Sequence, residues 1–104
     1  MTPEQEDQLA RETGRAADAE RLMNTPLLRE ALDTLERTIV DQWKASPIRD
    51  VEGQQYLRLM QKTMTDIRKY LQDIMATGKM AAIELDRERT LRERATSAVR
   101  SLRR

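Results

Sequence analysis

The chain has 104 residues, 38% hydrophobic and 36% charged, with no cysteine, histidine or phenylalanine and a single tryptophan. That inventory excludes a disulfide framework, a thiolate metal site and any Ser-His or Cys-His catalytic pair. Richness in Leu, Met, Ala, Arg and Glu, with few aromatic or β-branched residues, favours long exposed helices over a sheet. The net charge of +1 hides a gradient: residues 1–24 carry six acids against three arginines, residues 25–77 balance at eight and eight, and residues 86–104 set seven arginines against Asp86, Glu88 and Glu93.

The N-terminus, Met-Thr-Pro-Glu-Gln-Glu-Asp, is acidic and lacks the apolar run of a secretory signal. No stretch approaches the ~20 apolar residues of a membrane-spanning helix. A single domain located in the cytoplasm, without a membrane partner, is the expectation. Thr2 and Pro3 predict a helix start, with Thr2 as N-cap and Pro3 at the first helical position, where its missing N–H costs nothing. From there to Met23 the apolar stripe is thin (Leu9, Ala16, Ala19, Leu22, Met23) and Gly14 interrupts it, so the first dozen residues are expected to fray. Residues 1–24 thus read as an acidic N-terminal helix or arm.

Asn24-Thr25-Pro26 predicts the next boundary, with Asn24 in the left-handed conformation and Thr25 capping a helix that begins at Pro26. Leu28, Leu32, Leu35, Ile39 and Trp43 give that helix an apolar stripe. Ser46-Pro47 predicts its end and Asp50 the cap of the following helix. So short a connection makes the two helices antiparallel neighbours. Trp43, Ile48 and Val51 are expected to form an apolar plug at the turn.

The second helix of this hairpin carries the strongest periodicity in the chain. Leu57, Met60, Met64, Ile67, Leu71 and Ile74 repeat at steps of three and four, the seam of a coiled coil. Met60, Met64, Met75 and Met80, flanked by Leu59 and Tyr56, widen the stripe beyond what one partner helix covers. A third layer must come from residues 1–23, from residues 80–104 or from another copy, and self-association is the economical answer. Leu57, Met60, Met64, Ile67, Leu71 and Ile74 are therefore the candidate oligomerisation residues. Gly78 is expected to end or sharply bend this helix, closing a hairpin of residues 25–77. Residues 78–104 then form a separate basic C-terminal helix or tail.

Carboxylates do occur in helical proximity. Asp66 and Asp73, however, have Lys62 and Lys69 within a turn and read as surface ion pairs, and no Glu-x-x-His or EF-hand spacing accompanies Asp33, Glu36 and Asp41. Neither a cofactor, a metal nor a small-molecule substrate is expected. The basic tail is the contact candidate. Arg87, Arg89, Arg92, Arg94, Arg100, Arg103 and Arg104 suit phosphate or carboxylate recognition. Against this, Glu88 with Arg92 and Arg89 with Glu93 stand at i, i+4 and satisfy part of the run internally. With no aromatic residue after Tyr70, base stacking from the tail is excluded.

Leu22-Met23-Asn24-Thr25-Pro26-Leu27, Trp43-Lys44-Ala45-Ser46-Pro47-Ile48-Arg49-Asp50 and Thr77-Gly78-Lys79-Met80-Ala81 resemble segments of small tailed-bacteriophage proteins from the head and packaging region. The hairpin also resembles the oligomerisation core of small terminase subunits, ring-forming DNA-packaging proteins, but residues 1–24 are too short for the helix-turn-helix domain that precedes it there. The resemblance implies a phage structural or packaging protein as partner, and a location in the bacterial host cell or the virion. Taken together, the sequence predicts an all-α, non-enzymatic, self-associating protein of particle assembly or DNA packaging, its tail on DNA or an acidic protein surface. The alternative is a small phage-encoded protein that binds and regulates one protein partner without nucleic acid.

Overall fold

A computed structural model describes residues 1–103; Arg104, expected in the contact tail, lies outside the described residues. The protein is all-α. Three helices, α1 (Pro3–Met23), α2 (Pro26–Ala45) and α3 (Val51–Leu102), account for nearly all of it, with no strand among the described residues.

Local chemistry sets most of the boundaries. At the start of α1 the Gln5 N–H donates to Thr2 Oγ1 (3.2 Å) and the Thr2 N–H donates back to Gln5 Oε1 (2.9 Å). This reciprocal capping box satisfies two otherwise orphaned donors. The opening turns are accordingly helical rather than frayed. Between α1 and α2 no non-glycine residue has positive φ, so Asn24 does not take the expected left-handed conformation. The break comes from Pro26, which has no N–H to continue the ladder. Thr25 stands at the N-cap position of α2, but its hydroxyl donates backward to the Arg21 carbonyl (2.8 Å) instead of capping. Asp50 does cap α3: the Gly53 N–H donates to its Oδ1 at 3.0 Å.

Two compact units are formed, each described by itself: residues 19–73, and residues 1–18 with 74–104. In the first, α2 and the first part of α3 make the antiparallel hairpin. Leu32 and Ile39 of α2 pack with Leu57 and Met64 of α3, and Leu28 borders the cluster. Each pair is seven residues apart, so each helix presents one column to the other. Burying such side chains stabilises by roughly 1.5–3 kcal/mol apiece. Beside them Arg68 bridges the helices, its Nε on Glu36 Oε1 (2.7 Å) and its Nη2 on Asp33 Oδ1 (2.9 Å).

The expected plug at the turn is absent. Ile48 is 91% exposed, and Trp43 and Val51 are also exposed. Polar bonds close the turn instead: the Asp50 N–H and the Gln54 side-chain amide both donate to the Pro47 carbonyl, at 3.0 and 2.9 Å. That arrangement turns Ile48 outward.

In the second unit, α1 runs against the C-terminal part of α3. Here the expectation for Gly78 is overturned, since α3 is continuous through it and no glycine has positive φ. Gly78 is a buried contact, not a cap. A β-carbon there would lie 2.0 Å from Ala16 Cβ and 2.7 Å from the Glu12 carbonyl oxygen. Gly78 and Ala81, the latter 2% exposed, let the helix backbones approach closely. Toward the N-terminus of α1, Arg92 pairs with Glu6, and the Met1 amine stands 3.5 Å from Glu88 Oε1.

Candidate interaction surfaces

The heptad stripe of α3 is divided by the fold. Leu57 and Met64 are buried against α2 and are used within the chain, so they are not available to another molecule. Leu71 and Ile74 are half-buried, whereas Met60 and Ile67 are exposed at 38% and 43%. Four of the six residues expected to mediate assembly therefore retain accessible surface. Tyr56, Leu59 and Tyr70, all exposed, extend the patch along α3, and Leu35 of α2 is likewise exposed.

The hairpin has two unlike grooves. One is polar: Asp33, Glu36, Asp41, Lys44, Gln61 and Thr65 line it, and the Arg68 bridge adjoins it. Asp33 and Glu36, one turn apart on α2, are the two carboxylates that the bridge engages. The Glu36 hydrogen bond is the main cause that raises the Arg68 pKa above its ordinary value, against the opposing effect of burial. A second groove is apolar, a recess of about 440 Å3 lined by Leu22, Leu28, Leu32, Ile67, Tyr70 and Leu71 with Thr63 and Asp66. Another recess, of about 570 Å3, lies at the turn end between Ile39, Val40, Trp43, Val51 and Leu57. Their charged lining residues are Asp66 in the apolar groove and Arg58 in the recess at the turn end.

Ion pairs on α3 depart from the expected set. Lys62, Asp66, Lys69 and Asp73 make no ion pair among the described residues. In the tail, Glu88–Arg92 and Arg89–Glu93 do form, but at 3.9 and 4.0 Å. Shorter contacts engage the same arginines: Arg89 with Asp86 at 2.7 Å, and Arg92 with Glu6. Arg87, Arg94, Arg100 and Arg103 are exposed and without an ion pair among the described residues. Arg87 and Arg94 are seven apart on one helix face, shared with exposed Met80, Ile83 and Leu91. Arg100 and Arg103 fall on another face, so the arginines do not make one continuous stripe.

Sequence reasoning missed two features. Arg68 gave no local signal, because its partners lie more than thirty residues away. The close contact at Gly78 gave no local signal either, because its counterparts Glu12 and Ala16 lie more than sixty residues earlier. Among the described residues no group of acidic, histidine or cysteine side chains is arranged to hold a metal ion, and no helix is long and apolar enough to cross a membrane. Comparison with protein-family models, with curated proteins and with solved structures gives no match.

Proposed function

We propose that this chain is a non-enzymatic helical interaction protein that self-associates through the uncovered side of its hairpin. Its unpaired C-terminal arginines would contact the DNA backbone or an acidic protein surface. The observation that carries the reading is the exposure of Met60 and Ile67 in mid-stripe, on either side of Met64, which is buried against α2. Apolar residues at seam spacing are costly to leave in water, and a second apolar surface is what relieves that cost. A setting in phage particle assembly or DNA packaging, in the host cell or the virion, is supported by the likeness of the segments at residues 22–27, 43–50 and 77–81.

A second reading, a regulator of one protein partner, is favoured by the mixed face of Met80, Ile83, Arg87, Leu91 and Arg94. Interleaved apolar and cationic side chains suit an acidic protein surface better than a phosphate backbone. Light scattering at low and high salt, with and without double-stranded DNA, separates the two. An oligomer that gains mass with DNA and loses it steeply with salt supports the packaging role. An oligomer indifferent to DNA supports the protein partner, and a monomer under all conditions contradicts self-association.

A further inference from the structure

α1 covers only part of the seam that α3 offers it. From Ile74 that seam steps through Gly78, Ala81, Leu85, Glu88 and Arg92 at alternating intervals of four and three, buried or half-buried as far as Glu88. The cover ends where Glu6 of α1 pairs with Arg92 and the Met1 amine stands 3.5 Å from Glu88 Oε1. The seam does not stop there. The same intervals continue to Ala95, Val99 and Leu102, and every residue from 91 to 103 is exposed. At 1.5 Å per residue, residues 91–102 make an uncovered helical overhang of about 18 Å.

Charge and continuity together say what fits the overhang. At about 100° per residue, Leu91, Ala95, Ala98, Val99 and Leu102 share an arc of about 100°. Arg94 lies about 40° beyond one edge of it, and Arg103, whose N–H still donates to the Val99 carbonyl, about 40° beyond the other. Neither is ion-paired among the described residues. An apolar strip with a cation on each side matches a helix whose own strip is edged by carboxylates. The helix that covers the rest of the seam is of that kind: α1 is acidic in its first turn, and its Glu6 takes Arg92. Residues 94–103 hold three arginines and no acid, so a second copy of the segment would set arginine against arginine. A phosphate backbone would take the arginines but leave Val99 and Leu102 in water.

We propose that residues 91–102 dock an acidic amphipathic helix of a partner protein, laid along the line of α1, with its apolar strip on Val99 and Leu102 and its carboxylates on Arg94 and Arg103. The proposal rests on the reading of the tail as a contact for an acidic protein surface, and it names the form of that surface. Ala95 and Ala98 let the two helix axes come close, as Gly78 and Ala81 do beneath α1.

The probe is a fluorescent peptide of about 18 residues, long enough to form a helix, with leucine and alanine at heptad seam positions and glutamate on both flanks. Anisotropy with the full chain is expected to show saturable binding, weakened when the glutamates become glutamine and lost when the same residues are scrambled. With helix content unchanged by circular dichroism, Val99→Ser/Leu102→Ser should weaken binding on the order of tenfold. Arg94→Gln/Arg103→Gln should weaken it roughly fivefold. Arg100→Gln, about 100° past the arc, should cost no more than about twofold. Unchanged affinity in the serine variant, or an Arg100→Gln loss equal per arginine to that of the flanking pair, would show general charge attraction and overturn the proposal. No peptide binding beside salt-sensitive binding of double-stranded DNA would overturn it and keep the phosphate reading of the tail. If neither binds, the contact role of the tail falls with it. A wild-type oligomer that light scattering finds dissociated by Val99→Ser/Leu102→Ser would place a second copy on this seam and also overturn the proposal.

Discussion

Ala16 stands where a side chain on Gly78 would have to go: a β-carbon built on Gly78 would lie 2.0 Å from the Ala16 β-carbon. The sequence context alone suggests a helix terminator, and helix propensity alone would favour alanine at this position by ~1 kcal/mol. The fold reverses the sign. Gly78→Ala should destabilise the α1–α3 pair by on the order of 1–2 kcal/mol, since overpacking a close helix contact outweighs the propensity gain. Gly14 is also helical but has nothing within 4 Å of the added carbon, so Gly14→Ala should stabilise by up to ~1 kcal/mol. Urea unfolding followed by circular dichroism compares them, and shifts of the same sign would refute the close contact.

Arg68 provides the polar tie between α2 and α3. Its two bonds use the fork of one guanidinium to reach Glu36 and Asp33, which a lysine ammonium cannot reproduce. Arg68→Lys should therefore lose most of what Arg68→Ala loses, about 1 kcal/mol for a partly exposed bridge. Because its pKa is raised on folding, the associated stabilisation is fully present below arginine's unfolded value and fades only as pH rises through the folded one. The stability difference between wild type and Arg68→Ala should be flat from about pH 6 to about pH 10. A difference that changes steadily across that range would show that another titrating group dominates.

How far the fold was legible follows from the range of each interaction. The stripe from Leu57 to Ile74, the capping residues Thr2 and Asp50 and the stop at Ser46-Pro47 are local signals, written within a few turns of helix. Trp43, Ile48 and Val51 misled because closeness in sequence does not make a cluster. Gln54 and Asp50 closed the turn with hydrogen bonds to Pro47 and left Ile48 in water. Gly78 misled for the opposite reason, since its meaning depends on Glu12 and Ala16, more than sixty residues earlier. The same long range hid Arg68. Within the stripe itself, periodicity could not say that α2 would take Leu57 and Met64 and leave Met60 and Ile67.

Asp50 tests whether the turn depends on its cap. Its carboxylate accepts the Gly53 N–H, and a β-carbon on Gly53 would meet the same carboxylate at 2.2 Å. Asp50→Ala should cost ~1 kcal/mol, with Asp50→Asn or Asp50→Ser recovering most of it. Thermal unfolding of the three variants measures this; equal losses in all three would assign the effect to something other than capping.

The tail makes a separable prediction. If the four unpaired arginines contact phosphate, replacing Arg87, Arg94, Arg100 and Arg103 with glutamine should weaken binding to double-stranded DNA. It should also lower the slope of log affinity against log salt by up to about 4. Replacing Arg89 and Arg92, which are engaged by Asp86, Glu93, Glu88 and Glu6, should change that slope less. Equal effects per arginine in a titration at several salt concentrations would contradict the division between engaged and free side chains.

Self-association through the uncovered side of the hairpin is the central claim, and solution mass tests it most directly. Light scattering on wild type and on Met60→Glu/Ile67→Glu, matched by circular dichroism for helix content, is the measurement. The account predicts a wild-type mass that is a multiple of 12.1 kDa and a variant at the monomer mass. A wild type that remains at 12.1 kDa at every concentration, or a variant that assembles as the wild type does, would contradict it.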